Sequence, residues 1–290
     1  MNAITVTGLH KSMGEFKLEG IDMNIKKGYI TGLIGENGAG KSTVINHMLT
    51  LKKQDAGQIN ILDKDLEAER TALLNEIGLV FAEDRLPQNI TPDRLGKLLR
   101  TFYDRWDKET FFSYLKTFNV RADRKIKYLS TGEKVKLSIA IALSHKAKLL
   151  ILDEPTSNLD PTFRLELLEI LQELMVDEEV TILFSTHITS DLDKIADYII
   201  MIDDGKVIFE MEKETLFETY RKVKGSLDML DAEIESLIIG TTRSSLGFEG
   251  MSKEYEVFKE LFGNKVVIEP ITIDEIMYYI KKEKRGFDNV

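Results

Sequence analysis

Residues 35–43 constrain the fold of this chain more than any other stretch of its sequence. They read GENGAGKST and match G-x-x-x-x-G-K-[ST], the pattern of a phosphate-binding loop. An apolar run at residues 29–34 predicts a buried strand before the loop, and an apolar stripe after Lys41 predicts a helix behind it. Glycines let consecutive backbone N–H groups turn inward, and the helix N-terminus adds partial positive charge. The alternative, a glycine-rich turn that happens to precede a helix, is disfavoured by this strand–loop–helix order.

The residues expected to bind phosphate are those of the loop itself: Gly35, Glu36, Asn37, Gly38, Ala39, Gly40, Lys41, Ser42 and Thr43. Within it, Lys41 is expected to reach the β- and γ-phosphates of a nucleotide, and the Ser42 hydroxyl is expected to bind Mg²⁺. The loop therefore predicts a nucleoside triphosphate as ligand, together with Mg²⁺.

The composition limits the classes of function. The chain has 290 residues, enough for one large domain or two, and 43% of them are hydrophobic, as in an ordinary globular protein. Its formal net charge of -10 argues against a nucleic-acid-binding surface. Because the chain has no cysteine, disulfides, zinc–thiolate sites and thiol catalysis are excluded. We expect no signal peptide and no membrane span, since apolar runs such as residues 198–202 are far shorter than the roughly 18 residues required.

A second apolar run, residues 149–154, ends in two acids, Asp153 and Glu154. Ligands bind at the carboxyl ends of strands in open parallel sheets, so this strand is expected to deliver carboxylates to the phosphate site. Asp153 is expected to hold Mg²⁺, directly or through water, and Glu154 to orient and deprotonate an attacking water. An acidic pair after a strand is otherwise a helix cap or a turn. Its position downstream of the phosphate loop favours the catalytic interpretation.

Two further segments extend the pattern. Residues 180–185 predict another buried strand that ends beside His187. A lone histidine is usually structural or merely exposed, but at this edge of the sheet it suits a sensor of the γ-phosphate. Residues 129–133 read LSTGE and precede a helix with an apolar stripe. Ser130 and Glu133 also fit a capping box, which is the purely structural interpretation of that tetrad.

The rest of the chain surrounds these motifs. Residues 4–9 and 16–25 predict strands ahead of the loop, and residues 93–129 carry apolar side chains at helical spacing, which predicts an inserted helical subdomain over about 88–145. The basic charges of that segment are expected on a solvated face. Beyond residue 220 the pattern predicts a small α/β extension, which either stabilises or regulates a dimer or is a packing extension. Further helices are expected over 66–75, 227–237, 252–262 and 272–282, the last capped by Thr272, with strands over 58–62, 77–81 and 265–268.

In this order, GENGAGKST, LSTGE, LLILDE, SNLD and a strand-terminal histidine resemble the motifs of the ATP-binding subunit of a bacterial ABC transporter, most of all the Gram-positive drug- and peptide-export type. The resemblance covers roughly residues 1–220. It implies an α/β fold, the P-loop NTPase core of ABC ATPases with an antiparallel β edge and a helical subdomain. It also implies an ATPase that binds ATP and Mg²⁺, with Glu154 and His187 as its catalytic residues.

The resemblance further implies partners. Two ATP-binding subunits, identical or different, would sandwich two ATP molecules, each held by one chain's phosphate loop and closed over by Ser130, Thr131, Gly132 and Glu133 of the other. Asp160, which ends the SNLD motif, is also expected among the nucleotide-binding residues. A separate integral membrane permease would be driven by this cycle, in export, and would hold the chain peripherally at the cytoplasmic face of the membrane. The alternative, a soluble ABC ATPase acting on ribosomes or DNA, is disfavoured by the single cassette and the acidic net charge.

Departures from the family pattern bear on three positions. The LSTGE motif replaces LSGGQ, so Glu133 places a negative charge near a phosphate. The aromatic residue that usually stacks on adenine falls on Met13 by spacing, with Phe16 as an alternative. Where the family carries a glutamine that contacts Mg²⁺ and the membrane subunit, this chain has Ala82 and Glu83. Chemistry favours Glu83 as the metal-contacting residue, and the spacing is equally compatible with Ala82.

Overall fold

The computed structural model describes residues 1–49, 54–64, 69–176 and 180–286 of the chain. The chain divides into two compact units, Met1–Glu210 and Met211–Val290. This division falls inside a strand, whereas the sequence analysis places a boundary at about residue 220. The strands, in chain order, are β1 (Asn2–Met13), β2 (Phe16–Lys26), β3 (Ile30–Ile34), β4 (Ala56–Ile61), β5 (Ile77–Val80), β6 (Leu149–Asp153), β7 (Thr181–Thr186), β8 (Tyr198–Asp203), β9 (Lys206–Glu212), β10 (Arg221–Gly225), β11 (Ile239–Ser244), β12 (Gly247–Ser252) and β13 (Val267–Glu269).

The helices alternate with these strands through most of the chain. They are α1 (Lys41–Met48), α2 (Arg70–Asn75), α3 (Pro92–Leu99), α4 (Lys108–Thr117), α5 (Thr131–Leu143), α6 (Pro161–Leu174), α7 (Thr189–Ile195), α8 (Lys213–Thr219), α9 (Ala232–Ser236), α10 (Tyr255–Phe262) and α11 (Ile273–Lys284). The helix predicted over 66–75 is observed from Arg70 onward, and its first residues, 66–68, lie outside the described part of the chain. Among the described residues, no helix combines the length and apolar character needed to cross a bilayer.

The first unit is organised around a six-stranded sheet with the order β5-β6-β7-β3-β8-β9. β3 runs parallel to β7 and β8, and β6 runs parallel to β5 and β7. Every residue of β3, β6 and β7 is buried, which explains why the sequence shows continuous apolar runs there instead of alternation. The register pairs Ile34 with Thr186, and Asp153 with Ser185. The carboxyl ends of the three strands therefore meet at one edge, and the expected α/β core is confirmed.

A separate antiparallel sheet with the order β2-β1-β4 forms the expected β edge. Its buried residues share one apolar core with α1 and the central sheet; Leu9 and Ile21 lie in the same cluster as Val44, Ile45 and Leu33. Complete burial of side chains of this size contributes about 1.5–3 kcal/mol each. The helix that follows the phosphate loop is thus fixed to the core by its apolar face.

The segment over about 88–145 is helical, as predicted, and contains α3, α4, α5 and a 3-10 turn at Ile126–Tyr128. Each helix begins with a side-chain cap: Thr91, Asp107 and Ser130 each accept a hydrogen bond from a backbone N–H of the next turn. Phe111 and Phe118 are fully buried and anchor the segment.

The second unit is an α/β structure built on a four-stranded sheet with the order β11-β12-β10-β13. Val223, Ile234, Phe248 and Phe258 form its core. The predicted Thr272 cap is present as a full capping box with Glu275. The helix predicted over 227–237 is a 3-10 turn followed by the short α9, and the helix predicted from residue 252 begins at Tyr255. The sequence analysis did not predict β10, β11 and β12.

Candidate active site

The glycine-rich loop lies between β3 and α1, where the sequence places it. Gly38 and Gly40 adopt φ of 86° and 113°, a region that side chains rarely allow. At Gly35 a Cβ would lie 2.3 Å from the carbonyl oxygen of Ile202, so only glycine fits. Gly40 is the N-cap of α1 and supplies no side-chain acceptor to the first N–H groups of that helix. The loop is therefore a backbone-lined cradle at a helix N-terminus, a geometry that suits a phosphate chain.

Lys41 occupies the inside of this cradle. Its side chain is only 5% exposed, and Nζ donates to the carbonyl oxygens of Gly35, at 2.7 Å, and Glu36, at 3.2 Å. Nζ also lies 3.2 Å from Oε1 of Glu154, within ion-pair distance. The buried ammonium thus joins the phosphate loop to the end of β6.

Asp153 meets Ser42 at the same edge of the sheet. The Asp153 carboxylate accepts hydrogen bonds from the hydroxyls of Ser185, at 2.9 Å, and Ser42. Burial raises the pKa of Asp153, because a buried carboxylate loses hydration, while these two hydroxyls and Lys41 oppose that rise. A hydroxyl and a carboxylate from two different elements match the oxygen donors that Mg²⁺ takes beside nucleotide phosphates. Two of the three predicted metal-binding residues are therefore brought together.

Glu83 is the third predicted metal-binding residue. Its side chain is exposed, and the ion pair it forms in the described part of the chain is with Arg85, at 3.7 Å. Ala82 lies in the same loop, which connects β5 to α3.

Glu154 and His187, the predicted catalytic residues, contact each other directly. Nδ1 of His187 lies 2.7 Å from Oε2 of Glu154, and the Ser157 hydroxyl donates to the same oxygen at 2.7 Å. Glu154 has a φ of 51°, a left-handed conformation that is uncommon and costly for a residue with a side chain. Its backbone N–H donates to the carbonyl of Ser185, at 3.0 Å. The turn after β6 is thus strained, and neighbouring groups hold its carboxylate in one orientation.

A buried network, missed by the sequence analysis, lies behind this pair. Asp191 is 1% exposed and accepts hydrogen bonds from Oγ1 of Thr156, at 2.8 Å, and Nε of Arg164, at 2.7 Å. Arg164 also donates to Ser190, at 3.0 Å. Thr156 belongs to the turn that carries Glu154, and Asp191 belongs to the helix that follows His187. No local sequence signal joins these residues, because they lie on three separate segments.

The LSTGE turn, residues 129–133, begins α5 and forms the capping box noted in the sequence. Ser130 Oγ accepts from the Glu133 N–H at 3.2 Å, and the Glu133 carboxylate accepts from the Ser130 N–H at 2.7 Å. A Cβ at Gly132 would lie 3.1 Å from the carbonyl oxygen of Asn158. Asp160 caps α6 by accepting from Phe163 N–H at 3.0 Å, and it pairs with Lys136 of α5 at 3.5 Å. The structure therefore brings the LSTGE turn beside residues 157–160.

Met13 and Phe16 flank the turn between β1 and β2, where their Cα atoms are paired. Both side chains are half-buried. A Cβ at Gly40 would lie 3.0 Å from Cζ of Phe16, so the phenyl ring packs against the phosphate loop. Phe16, the alternative raised from the sequence, thus has a direct contact with the loop.

The sequence of the chain matches a known family and several curated proteins. The ABC transporter family model matches residues 18–157. The bacitracin transport ATP-binding protein BcrA of Bacillus licheniformis is 32% identical over 222 residues, which cover 76% of this chain and 72% of the relative. The lantibiotic transport ATP-binding protein SrtF of Streptococcus pyogenes is 35% identical over 212 residues, which cover 72% of this chain and 90% of the relative.

Solved structures give the same result for the fold. An ATP-binding subunit of an ABC transporter aligns with a TM-score of 0.67 at 25% identity, covering 74% of this chain and 91% of that chain. A dimeric, post-hydrolysis structure of the ATP-binding cassette MJ0796, bound to ADP and Pi, aligns with a TM-score of 0.64 at 25% identity, covering 72% of this chain and 98% of that chain. The sequence comparisons and the structural comparisons therefore identify the same kind of protein.

Proposed function

The chain belongs to the ABC transporter family as an ATP-binding, ATP-hydrolysing subunit, and we propose that it uses that hydrolysis to drive export through a separate membrane permease. Two observations support export. The relatives described above are named for the transport of bacitracin and of lantibiotics, and the sequence motifs resemble those of Gram-positive drug- and peptide-export systems. The ribosome- or DNA-directed alternative is not favoured, because these relatives are transport subunits.

The phosphate loop supplies the binding half of the mechanism. Its backbone N–H groups and the Lys41 ammonium would bind the phosphates of ATP. The ammonium would place its positive charge beside the β- and γ-phosphates. Ser42 and Asp153 would hold Mg²⁺, which neutralises charge on the phosphate oxygens when bound. Glu83 would approach the metal from its loop, with Ala82 as the alternative at that position. At the adenine end, Met13 or Phe16 would pack against the base.

Glu154 supplies the proton-transfer half. Its carboxylate would orient the attacking water and accept its proton, while His187 and Ser157 keep the carboxylate in place. The single observation that carries this assignment is the 2.7 Å contact between Glu154 and His187. Glu154 also lies 3.2 Å from Lys41. These contacts bring the proposed base, the proposed γ-phosphate sensor and the phosphate-binding lysine into one continuous group.

A second ATP-binding subunit, of the same or a related chain, would complete each site. In this arrangement the Ser130 and Gly132 backbone at the start of α5 faces the γ-phosphate held by the other subunit, with Glu133 and Asp160 beside it. The dimeric MJ0796 cassette, at 25% identity, supports this proposal. Binding to the permease would place the subunit at the cytoplasmic face of the membrane.

Glu154→Gln tests the proposal in the full-length chain. Because the amide cannot accept the proton, we expect ATP hydrolysis to fall by about 10²–10⁴-fold. ATP should still bind, so the variant should accumulate as an ATP-dependent dimer, measured by size-exclusion chromatography with light scattering. Glu169→Gln, an exposed change on α6, is the matched control and should leave both properties unchanged. Full hydrolysis by Glu154→Gln, or no dimer with ATP, would contradict the mechanism.

A further inference from the structure

The loop between β5 and α3, residues 81–91, is folded around the carboxylate of Asp84. Oδ1 of Asp84 accepts from the Leu86 N–H at 3.1 Å, and Oδ2 accepts from Nε2 of Gln88 at 3.0 Å. Nε2 of Gln88 also donates to the Leu86 carbonyl, at 2.6 Å. These contacts give the loop a defined shape of its own, with one carboxylate at its centre.

Lys134 connects this loop to α5. It follows the LSTGE turn directly in sequence, and its Nζ lies 2.7 Å from Oδ2 of Asp84 and 3.1 Å from Oε1 of Gln88. The Lys134 side chain is 19% exposed and that of Asp84 is 33% exposed, so the ammonium is mostly covered while the carboxylate stays partly open to water. Burial alone would raise the pKa of Asp84, yet the hydrogen bonds from Lys134 and from the loop hold that pKa below its usual value.

The same loop is tied at its other side to α1, the helix that begins at the phosphate loop. The guanidinium of Arg85 donates to Oδ1 of Asn46 at 3.0 Å and stacks over the ring of Phe81 at 4.1 Å. Two neighbouring residues of the loop therefore hold separate helices: Arg85 contacts Asn46 on α1, and Asp84 contacts Lys134 on α5. The loop 81–91 links the helix that follows the phosphate loop to the helix that starts at the LSTGE turn.

We propose that Lys134 is a positioning residue, which ties the LSTGE turn through Asp84 to the loop 81–91 and so to α1. This rests on the proposed function, in which the LSTGE turn closes over the ATP of a second subunit. In this proposal Lys134 acts through Asp84 and does not bind ATP itself. It fixes the direction in which the Ser130 and Gly132 backbone is presented, so that loss of the tie weakens ATP-driven dimerisation without weakening ATP binding to one subunit.

A comparison pair in the same helical segment shows what an ordinary ion pair would do. Lys97 and Asp93 on α3 are separated by the same 2.7 Å, but their side chains are 65% and 39% exposed, and they belong to one helix. A solvated pair within one helix contributes only about 0.3–0.5 kcal/mol and connects no separate elements. Lys97→Met is therefore a matched control for Lys134→Met, since both remove one ammonium from a helix surface.

The test measures dimerisation of the full-length chain that carries Glu154→Gln, as a function of ATP concentration. We expect Lys134→Met and Asp84→Asn each to raise the ATP concentration for half-maximal dimerisation by about fivefold, with the double variant no worse than either single one. Lys134→Arg should restore the value to within about twofold, because a guanidinium keeps the charge and the donors. Binding of a fluorescent ATP analogue to the monomer should stay unchanged. Additive effects of the two changes, or a Lys134→Met variant that matches Lys97→Met, would overturn the proposal.

A second readout does not depend on dimerisation. Trypsin should cut after Arg85 about fivefold faster in Lys134→Met than in Lys97→Met, because the untied loop opens more often while the sequence around Arg85 is unchanged. Equal cleavage rates would overturn the tie itself. If the Glu154→Gln chain with an intact Lys134 fails to dimerise but the cleavage rates differ as expected, the proposed function fails and the tie stands.

Discussion

Replacing Asp191 with alanine should lower the free energy of unfolding of the first unit by more than the loss of any single ion pair on its surface would. The Asp191 carboxylate is 1% exposed and is shared by Thr156 and Arg164 at 2.8 Å and 2.7 Å. Its removal leaves the buried Thr156 hydroxyl without this acceptor and leaves the Arg164 guanidinium without its charged partner, with Ser190 as its remaining contact. Breaking a buried charged pair from one side costs about 3–5 kcal/mol.

The magnitude falls at the lower end of that range. Arg164 keeps 27% of its side chain exposed, so water can hydrate part of the abandoned charge. We therefore expect a loss of about 3 kcal/mol in the free energy of unfolding. For a unit of this size, each kcal/mol lowers Tm by about 2–4 °C, so the expected fall is about 6–12 °C. Asp191→Asn keeps an acceptor for Thr156 and should cost about half as much.

The assay follows from the single tryptophan of the chain. Trp106 lies in the first unit and packs with Tyr103 and Phe111, so its fluorescence during urea unfolding reports that unit. Arg121→Ala is the control, since it breaks the exposed pair with Asp123 and should cost less than about 0.5 kcal/mol. If Asp191→Ala lost no more than 1 kcal/mol beyond the control, the network would not hold the turns that carry Glu154 and His187.

Two further changes test the electrostatics of other parts of the molecule. Glu133→Gln keeps the capping box but removes a negative charge at the start of α5, which would face the ATP phosphates of the other subunit. ATP-driven dimerisation should therefore reach its midpoint at about two- to fivefold lower ATP concentration. An unchanged midpoint would refute repulsion between Glu133 and the phosphate. Burial lowers the pKa of His145, against hydrogen bonds to the Ile141 and Ile77 carbonyls that raise it. The unfolded histidine therefore takes up a proton more readily than the folded one, and stability should be lost as the pH falls through about 6.5. In His145→Gln, the urea midpoint of unfolding should depend less on pH between about pH 5 and 7 than in the control His10→Gln, which changes an exposed histidine. Parallel pH profiles of the two variants would contradict the assignment of this pH dependence to His145.

The sequence predicted those parts of the molecule that local patterns determine. Continuous apolar runs marked β3, β6 and β7, because strands buried on both faces need no polar alternation. Once these strands were placed side by side, the residues at their ends had to meet, and Glu154 and His187 do so at 2.7 Å. The phosphate loop could also be predicted from its sequence, because Gly38 and Gly40 adopt a backbone conformation that few other residues adopt.

The second unit shows where that reasoning fails. β10 contains Lys222 and Lys224 in a short segment of five residues, which carries no apolar alternation strong enough to mark a strand. Both lysines pair with Glu269 of β13, at 3.4 Å and 2.8 Å, so ion pairs across strands take the place of the apolar pattern. Such partners become visible only once the strands are placed.

The supports of the site escape sequence analysis for a related reason, and their distribution suggests why the site needs them. Glu154 holds a left-handed φ of 51°, and strain of this kind persists only where the surroundings over-determine it. The supports of the turn come from elsewhere in the chain: Ser185 on β7, Asp191 on α7 and Arg164 on α6. Because each lies on a separate element, the turn that carries Glu154 is held by three parts of the fold that are distant in sequence. Residues that perform chemistry can thus be found from motifs, whereas residues that position them are found only from the fold.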